Sequence, residues 1–315
     1  MTNREPTISV IVPTYDAQQL LAAVLASLGT QSFPRDRAEI IVVDDGSPDR
    51  SEAALRRYDG ALPLKSILLE THVGRARARN AGIRRAQGDL VVFLDDDMTV
   101  GAEFLSAHAE FQRLHPGEVA IGDIRFGPQI VASAITRYIE SRGAQRFADG
   151  EPLPFKCFVT GNSSVQRQRL LEVGLFDERF EAYGGEDLEL GYRLHGAGAR
   201  FRLCAAAGSL HHRVRPLRQT SELMYAYGRR SLPLLLEKHP ELSRLLRLDF
   251  LHASRLSPRR WALELALQPF VYGPISVWAD RCQSGQLPSI FIDYLWWYNR
   301  TRGFLHSSSP DGEQA

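Results

Sequence analysis

Short apolar runs, each cut off by a proline or by acids, constrain this chain most. Ile8 to Val12 stops at Pro13, and Ile40-Ile41-Val42-Val43 stops at Asp44-Asp45-Gly46-Ser47. Leu90-Val91-Val92-Phe93-Leu94 stops at Asp95-Asp96-Asp97. Unbroken runs of this length belong to strands buried on both faces, as in a parallel sheet covered by helices. The intervals carry helical patterns. Leu20, Leu21, Val24, Leu25 and Leu28 share one helix face before Gly29. After a third strand, predicted over Ser66–Leu69, a basic helix spans about Gly74–Ala86. This alternation predicts an α/β chain with a wound sheet.

Further on, the pattern predicts a helix at 104–114, a strand at 119–126 and a helix over 130–147. A strand, turn and strand follow at 158–165, then a short helix at 188–195 and a last strand at 201–204. Beyond Pro216 the chain reads as helical and rich in Leu, Arg and aromatics. The expected division is a domain over 1–215, a helical extension over 216–306 and a polar, disordered tail over 307–315.

The 315 residues suffice for one large domain or two smaller ones, and a net charge of +1 carries no signal for nucleic acid. Cys157, Cys204 and Cys282 lack metal-site spacing and fit a reducing cytoplasm. No stretch of about 18 apolar residues suggests a membrane span.

The acidic triplet is the leading candidate site. Ligands of wound sheets bind beyond the carboxyl ends of strands, and three adjacent carboxylates repel one another unless a cation joins them. A polar turn before the helix near Ala102 is the plainer reading. Pro13, Thr14 and Tyr15 end the first strand, where a tyrosine can stack on a flat ring. Asp45 can accept from a base or ribose, or it can simply cap a helix, as can Ser47. Arg75 and Arg79 lie four apart on one helix face, a spacing that suits a diphosphate or a solvated basic face. Gly184-Gly185 allow a sharp turn into a helix that starts with Glu186-Asp187, a setting for a general base or an N-cap. His211 and His212 offer one imidazole to a metal, and either can be the one that faces the site.

Together these segments resemble a family 2 glycosyltransferase of the GT-A fold, over roughly residues 7–215. The match rests on Ser9-Val10-Ile11-Val12-Pro13-Thr14-Tyr15, Val42-Val43-Asp44-Asp45-Gly46-Ser47 and Ala78-Arg79-Asn80. Phe93-Leu94-Asp95-Asp96-Asp97 follows as a DxD region, with Gly184-Gly185-Glu186-Asp187-Leu188 downstream. The resemblance implies a GT-A type, Rossmann-like mixed sheet. It also implies inverting transfer of a sugar from a nucleoside diphosphate, a UDP-sugar foremost, to an acceptor hydroxyl with Mn²⁺ or Mg²⁺. Pro13, Thr14, Tyr15 and Asp45 would then hold the nucleoside, Arg75 and Arg79 the diphosphate, and Asp96 the ribose or sugar. Asp97, with Asp95 and His212, would bind metal. Asp187 would deprotonate the acceptor, and Glu186 would orient a hydroxyl.

Two rivals compete. Asp95-Asp96-Asp97-Met98-Thr99 satisfies the DxDxT pattern of haloacid-dehalogenase phosphatases, with Asp95 as nucleophile, although that motif belongs on a first strand. A non-catalytic nucleotide-sugar binder would keep the same fold. In the extension, Arg229, Arg230, Arg244, Arg247, Arg255, Arg259 and Arg260 lie among leucines, with Trp261, Trp278, Trp296 and Trp297 nearby. That pattern fits helices packed on the core or on a second subunit, as in a homodimer. It also fits peripheral contact with the inner face of a membrane.

Overall fold

A computed structural model of the chain describes residues 6–48, 55–56, 58, 62–254, 256–282 and 287–307. The predicted tail beyond Ser307 and Arg255 lie outside them. The chain forms two compact units, one of residues 1–130, 140–181 and 186–213, the other of 131–139, 182–185 and 214–315.

The first unit is built on a mixed sheet. Its strands are β1 (Ile8–Thr14), β2 (Ala38–Asp44), β3 (Leu64–Leu68), β4 (Leu90–Leu94), β5 (Met98–Val100), β6 (Val119–Phe126), β7 (Pro152–Leu153), β8 (Asn162–Gln166) and β9 (Phe201–His211). They lie in the order β3-β2-β1-β4-β8-β6-β9-β5, with β7 on β9. The first four run parallel. β8 then runs antiparallel to β4 and to β6.

The central strands are buried throughout, from Val10, Ile11 and Val12 to Val91, Val92 and Phe93. Each large side chain so buried contributes about 1.5–3 kcal/mol. Helices α1 (Gln18–Leu28), α2 (Arg75–Arg85) and α3 (Phe104–Leu114) link the strands. α1 turns Leu21, Val24, Leu25 and Leu28 inward, as its spacing requires.

Several predicted elements need correction. The helix expected over 130–147 is only α4 (Ala134–Arg142), followed by a 3₁₀ turn at Ala144–Arg146. The strand, turn and strand expected over 158–165 is one strand, β8, with a 3₁₀ turn at Phe155–Cys157 before it. Its Asn162, Ser163 and Ser164 are buried, not an open polar loop. His108 of α3 meets two of them: its Nδ1 lies 3.0 Å from the Ser164 hydroxyl and its Nε2 3.3 Å from Asn162 Oδ1. Burial holds that imidazole down to about 4, so it is neutral despite the Asn162 contact. The last strand, expected over 201–204, continues to His211. Helices α5 (Arg167–Glu172) and α6 (Glu186–Gly196) complete this unit.

The second unit is helical: α7 (Leu217–Ala226), a π turn at Tyr227–Ser231, α8 (Leu232–Lys238), α9 (Leu242–Leu245), α10 (Pro258–Ala266), α11 (Pro269–Arg281) and α12 (Ser289–Ser307). One core joins Ala134, Ile135 and Tyr138 to Leu217, Ala279, Ile292 and Leu295. Gly228 and Gly303 permit close backbone approach there: a Cβ on Gly228 would stand 1.9 Å from the Arg300 carbonyl oxygen, and one on Gly303 2.2 Å from that of Tyr225.

Candidate active site

The acidic triplet follows β4, and its three side chains do not converge on one point. Asp95 Oδ1 accepts from Arg79 at 3.2 Å. Asp96 lies beside the end of β1. Burial pushes its carboxyl up to about 7, with hydrogen bonds from Thr14 and the Tyr15 amide pulling against it and the charges of Asp97 and Asp95 adding to it. Asp97 Oδ2 lies 3.2 Å from His211 Nε2 at the end of β9.

Arg79 is a hub. Its side chain is 3% exposed and donates to Glu186 Oε1 at 3.2 Å as well as to Asp95, with Asp187 Oδ1 at 3.7 Å. Burial alone would lower its pKa, but the Asp187, Asp95 and Glu186 charges outweigh burial and hold it above its usual value. Its place on the helix suggests a guanidinium aimed at a diphosphate. In the structure it ties Asp95 of the triplet to Glu186 at the start of α6. Arg75, four residues earlier, is exposed at the first turn of α2. Burial therefore changes sharply along a face that spacing alone makes uniform. Asn80 pins a distant loop, donating to the Phe176 carbonyl and accepting from its amide.

Asp187 is the most accessible carboxylate of this hub after Asp95, with its side chain 27% exposed. Thr160 donates to it through its amide at 3.1 Å and its hydroxyl at 3.0 Å. Burial and then the Glu186 charge push it up to about 6, against the pull of Arg79. Gly184 and Gly185 precede it with φ of 82° and 97°, a turn that other residues resist. Glu186 is buried, and its Oε2 has no protein partner.

The nucleoside candidates gather at the ends of β1 and β2. Asp45 accepts from the Val73 and Gly74 amides and from His72 Nδ1, at 2.8, 3.0 and 2.9 Å. Its carboxylate therefore shapes the loop before α2. Tyr15 is exposed and its ring lies 4.2 Å from that of His72. Pro13 and Thr14 lie in β1 behind it. Sequence reasoning missed His72, because nothing in its local pattern signals that β1 and β2 bring it to Tyr15 and Asp45.

The two histidines are resolved by β9. His211 reaches Asp97, whereas His212 turns to the Thr99 hydroxyl at 2.6 Å and to Gln129. The structure thus brings His211, not His212, to Asp97. Adjacent residues of an extended strand face opposite ways, so only one of the pair could do so. Asp95 likewise faces Arg79 rather than Asp97. Among the described residues no group of three or more metal-ligating side chains occurs. The separation of Asp97 and His211 does match the roughly 3 Å between adjacent ligands of one octahedral ion. A carboxylate oxygen and an imidazole nitrogen are both metal-ligand types, and a metal that binds substrate phosphates needs few protein ligands.

Comparison with known proteins adds an independent line. The description "Glycosyl transferase family 2" matches residues 9–174, and "N-terminal domain of galactosyltransferase" matches 145–215. A validoxylamine A glucosyltransferase of Streptomyces hygroscopicus subsp. limoneus is 32% identical over 227 residues, covering 62% of this chain and 49% of its own. A chondroitin synthase of Escherichia coli is 27% identical, covering 74% and 38%. The chain therefore spans about half, or less, of these two relatives. Among solved structures, mannosyltransferase PcManGT from Pyrobaculum calidifontis, bound to GDP-Man and Mn²⁺, aligns with a TM-score of 0.61 at 20% identity, over 97% of this chain and 89% of its own. Staphylococcus aureus TarS 1-349 with UDP-GlcNAc aligns at 0.58 and 18% identity, over 95% and 90%. These likenesses show a shared fold.

Proposed function

The chain belongs to glycosyl transferase family 2, and we propose that it moves a sugar, with inversion, from a nucleoside diphosphate to an acceptor hydroxyl. The observation that carries this reading is Asp187. It is partly open to solvent, held from two sides by Thr160 and Arg79, and pushed up to about 6. A general base needs access to its proton and a pKa near the working pH, and this carboxylate has both.

In a single displacement the acceptor oxygen attacks the anomeric carbon opposite the departing diphosphate. Asp187 accepts the hydroxyl proton as that bond forms. Arg79 keeps the base ionised and aligned from within. Glu186 Oε2 accepts from a sugar or acceptor hydroxyl. Asp96 accepts from the ribose or sugar, Tyr15 and His72 offer ring faces to the base beside Pro13 and Thr14, and Arg75 meets the diphosphate. When bound, a divalent ion held by Asp97 and His211 would neutralise charge on the leaving diphosphate. Mn²⁺ fits the imidazole better than Mg²⁺. The donors held by TarS and PcManGT support a nucleoside diphosphate sugar, with a UDP-sugar our first choice. Free thiols at Cys157, Cys204 and Cys282 support a reducing, cytoplasmic setting.

The phosphatase reading loses its support, since Asp95 is held by Arg79 and the family match points to glycosyl transfer. A panel of nucleotide sugars, tested by thermal shift and turnover with and without Mn²⁺, examines the proposal. A metal-dependent shift with one donor and a product of inverted anomeric configuration are expected. Binding without turnover on any acceptor would make the protein a binder, and a retained configuration would overturn the single displacement.

A further inference from the structure

A helix on the surface of a soluble protein turns its apolar stripe inward and its charges to water. Helix α10 does the reverse. Trp261 and Leu265, one turn apart, are both exposed, Trp261 to 63%. Arg260 is the residue tucked in: its side chain is 19% exposed and its guanidinium donates to the Ala253 carbonyl and to Glu264, both at 2.7 Å. Helix α11 is apolar on both sides. Tyr272, Ile275 and Ala279 pack into the helical core, while Phe270, Val277 and Trp278 remain exposed, Phe270 to 69%. Ile290, at the start of α12, is equally exposed. Single exposed apolar side chains are ordinary; six large ones on three successive helices mark an interaction face.

Charge selects the partner. Residues 214–307 hold thirteen Lys or Arg against seven Asp or Glu, and Arg244, Arg247 and Arg281 are exposed, as is Arg259, which pairs with Asp249 at 3.0 Å. A second copy docked symmetrically here would set these cations against themselves. A bilayer with anionic lipid satisfies both features, because Trp and Phe favour its interface and each Arg is drawn to its headgroups. Trp296 and Trp297 take no part, since they pack against Tyr138 and Phe250.

We propose that α10, α11 and the start of α12 form a face that docks on the surface of an anionic bilayer without crossing it. Among the described residues no helix is long and apolar enough to cross. The inference is independent of the sugar-transfer reading, and either can fail alone.

The test is co-sedimentation of the whole protein with vesicles of phosphatidylcholine, with or without phosphatidylglycerol. Binding is expected only to the mixed vesicles, weakened by high salt and accompanied by a blue shift of tryptophan fluorescence. Trp261→Ser with Phe270→Ser should lower binding at least about tenfold. Arg244→Glu with Arg281→Glu should do so by a similar factor. Neither pair should alter turnover on a soluble acceptor. Absence of binding to mixed vesicles, or binding that survives the Trp261/Phe270 change, would overturn the proposal. So would a concentration-dependent dimer that this change dissolves, since a second copy would then cover the face.

Discussion

Arg79 holds three carboxylates at a buried point, so the consequences of replacing it can be stated in advance. Arg79→Met leaves Asp95, Glu186 and Asp187 without their cation and should cost about 3–5 kcal/mol, read from urea unfolding. Arg79→Lys keeps the charge without the fork and should fall between. As the proposed base, Asp187 acts only when ionised, so kcat/KM should climb with pH through about 6. Glu186 raises that pKa by repulsion, so Glu186→Gln should move the rising limb to lower pH; a limb that stays put would detach it from Asp187. At this scale the sequence reveals the identities but not the pairings. Asp95, Asp96 and Asp97 look equivalent in a row. Their different partners follow from which strand end each faces, and strand order is not written locally.

Among the elements, the π turn and α12 meet through glycine. Gly228→Ala would drive a methyl group into the Arg300 carbonyl and should cost about 1–3 kcal/mol or more. Gly196, the last residue of α6, is the contrast: a Cβ there meets nothing within 4 Å and its φ is not positive. Gly196→Ala should therefore stabilise the helix by up to about 1 kcal/mol. Thermal melts of the two variants should move in opposite directions. The elements of the wound half are legible because their apolar runs lie on strands buried on both faces. The sequence pattern stops β9 at Cys204 because the following Ala205, Ala206, Ala207 and Gly208 are weak strand formers. β9 holds its length through pairing with β6 and β5, which no local pattern records. The polar side chains of β8 suggest a turn in water, whereas His108 meets Asn162 and Ser164 inside the protein.

At the scale of the whole molecule, the fold class follows from the order of its strands and helices, and family membership confirms it. The interleaving of segments between the two units is not legible, since residues 131–139 and 182–185 join the helical unit through packing against chain distant in sequence. The proposed role of Asp187 as the base of a single-displacement sugar transfer meets its sharpest test in Asp187→Asn. The variant keeps the shape and the acceptor oxygen but cannot take a proton. Calorimetric titration with the preferred nucleoside diphosphate sugar and Mn²⁺ should give nearly unchanged affinity, while transfer falls by about 10²–10⁴-fold or more. Transfer at the normal rate by Asp187→Asn would rule Asp187 out as the base.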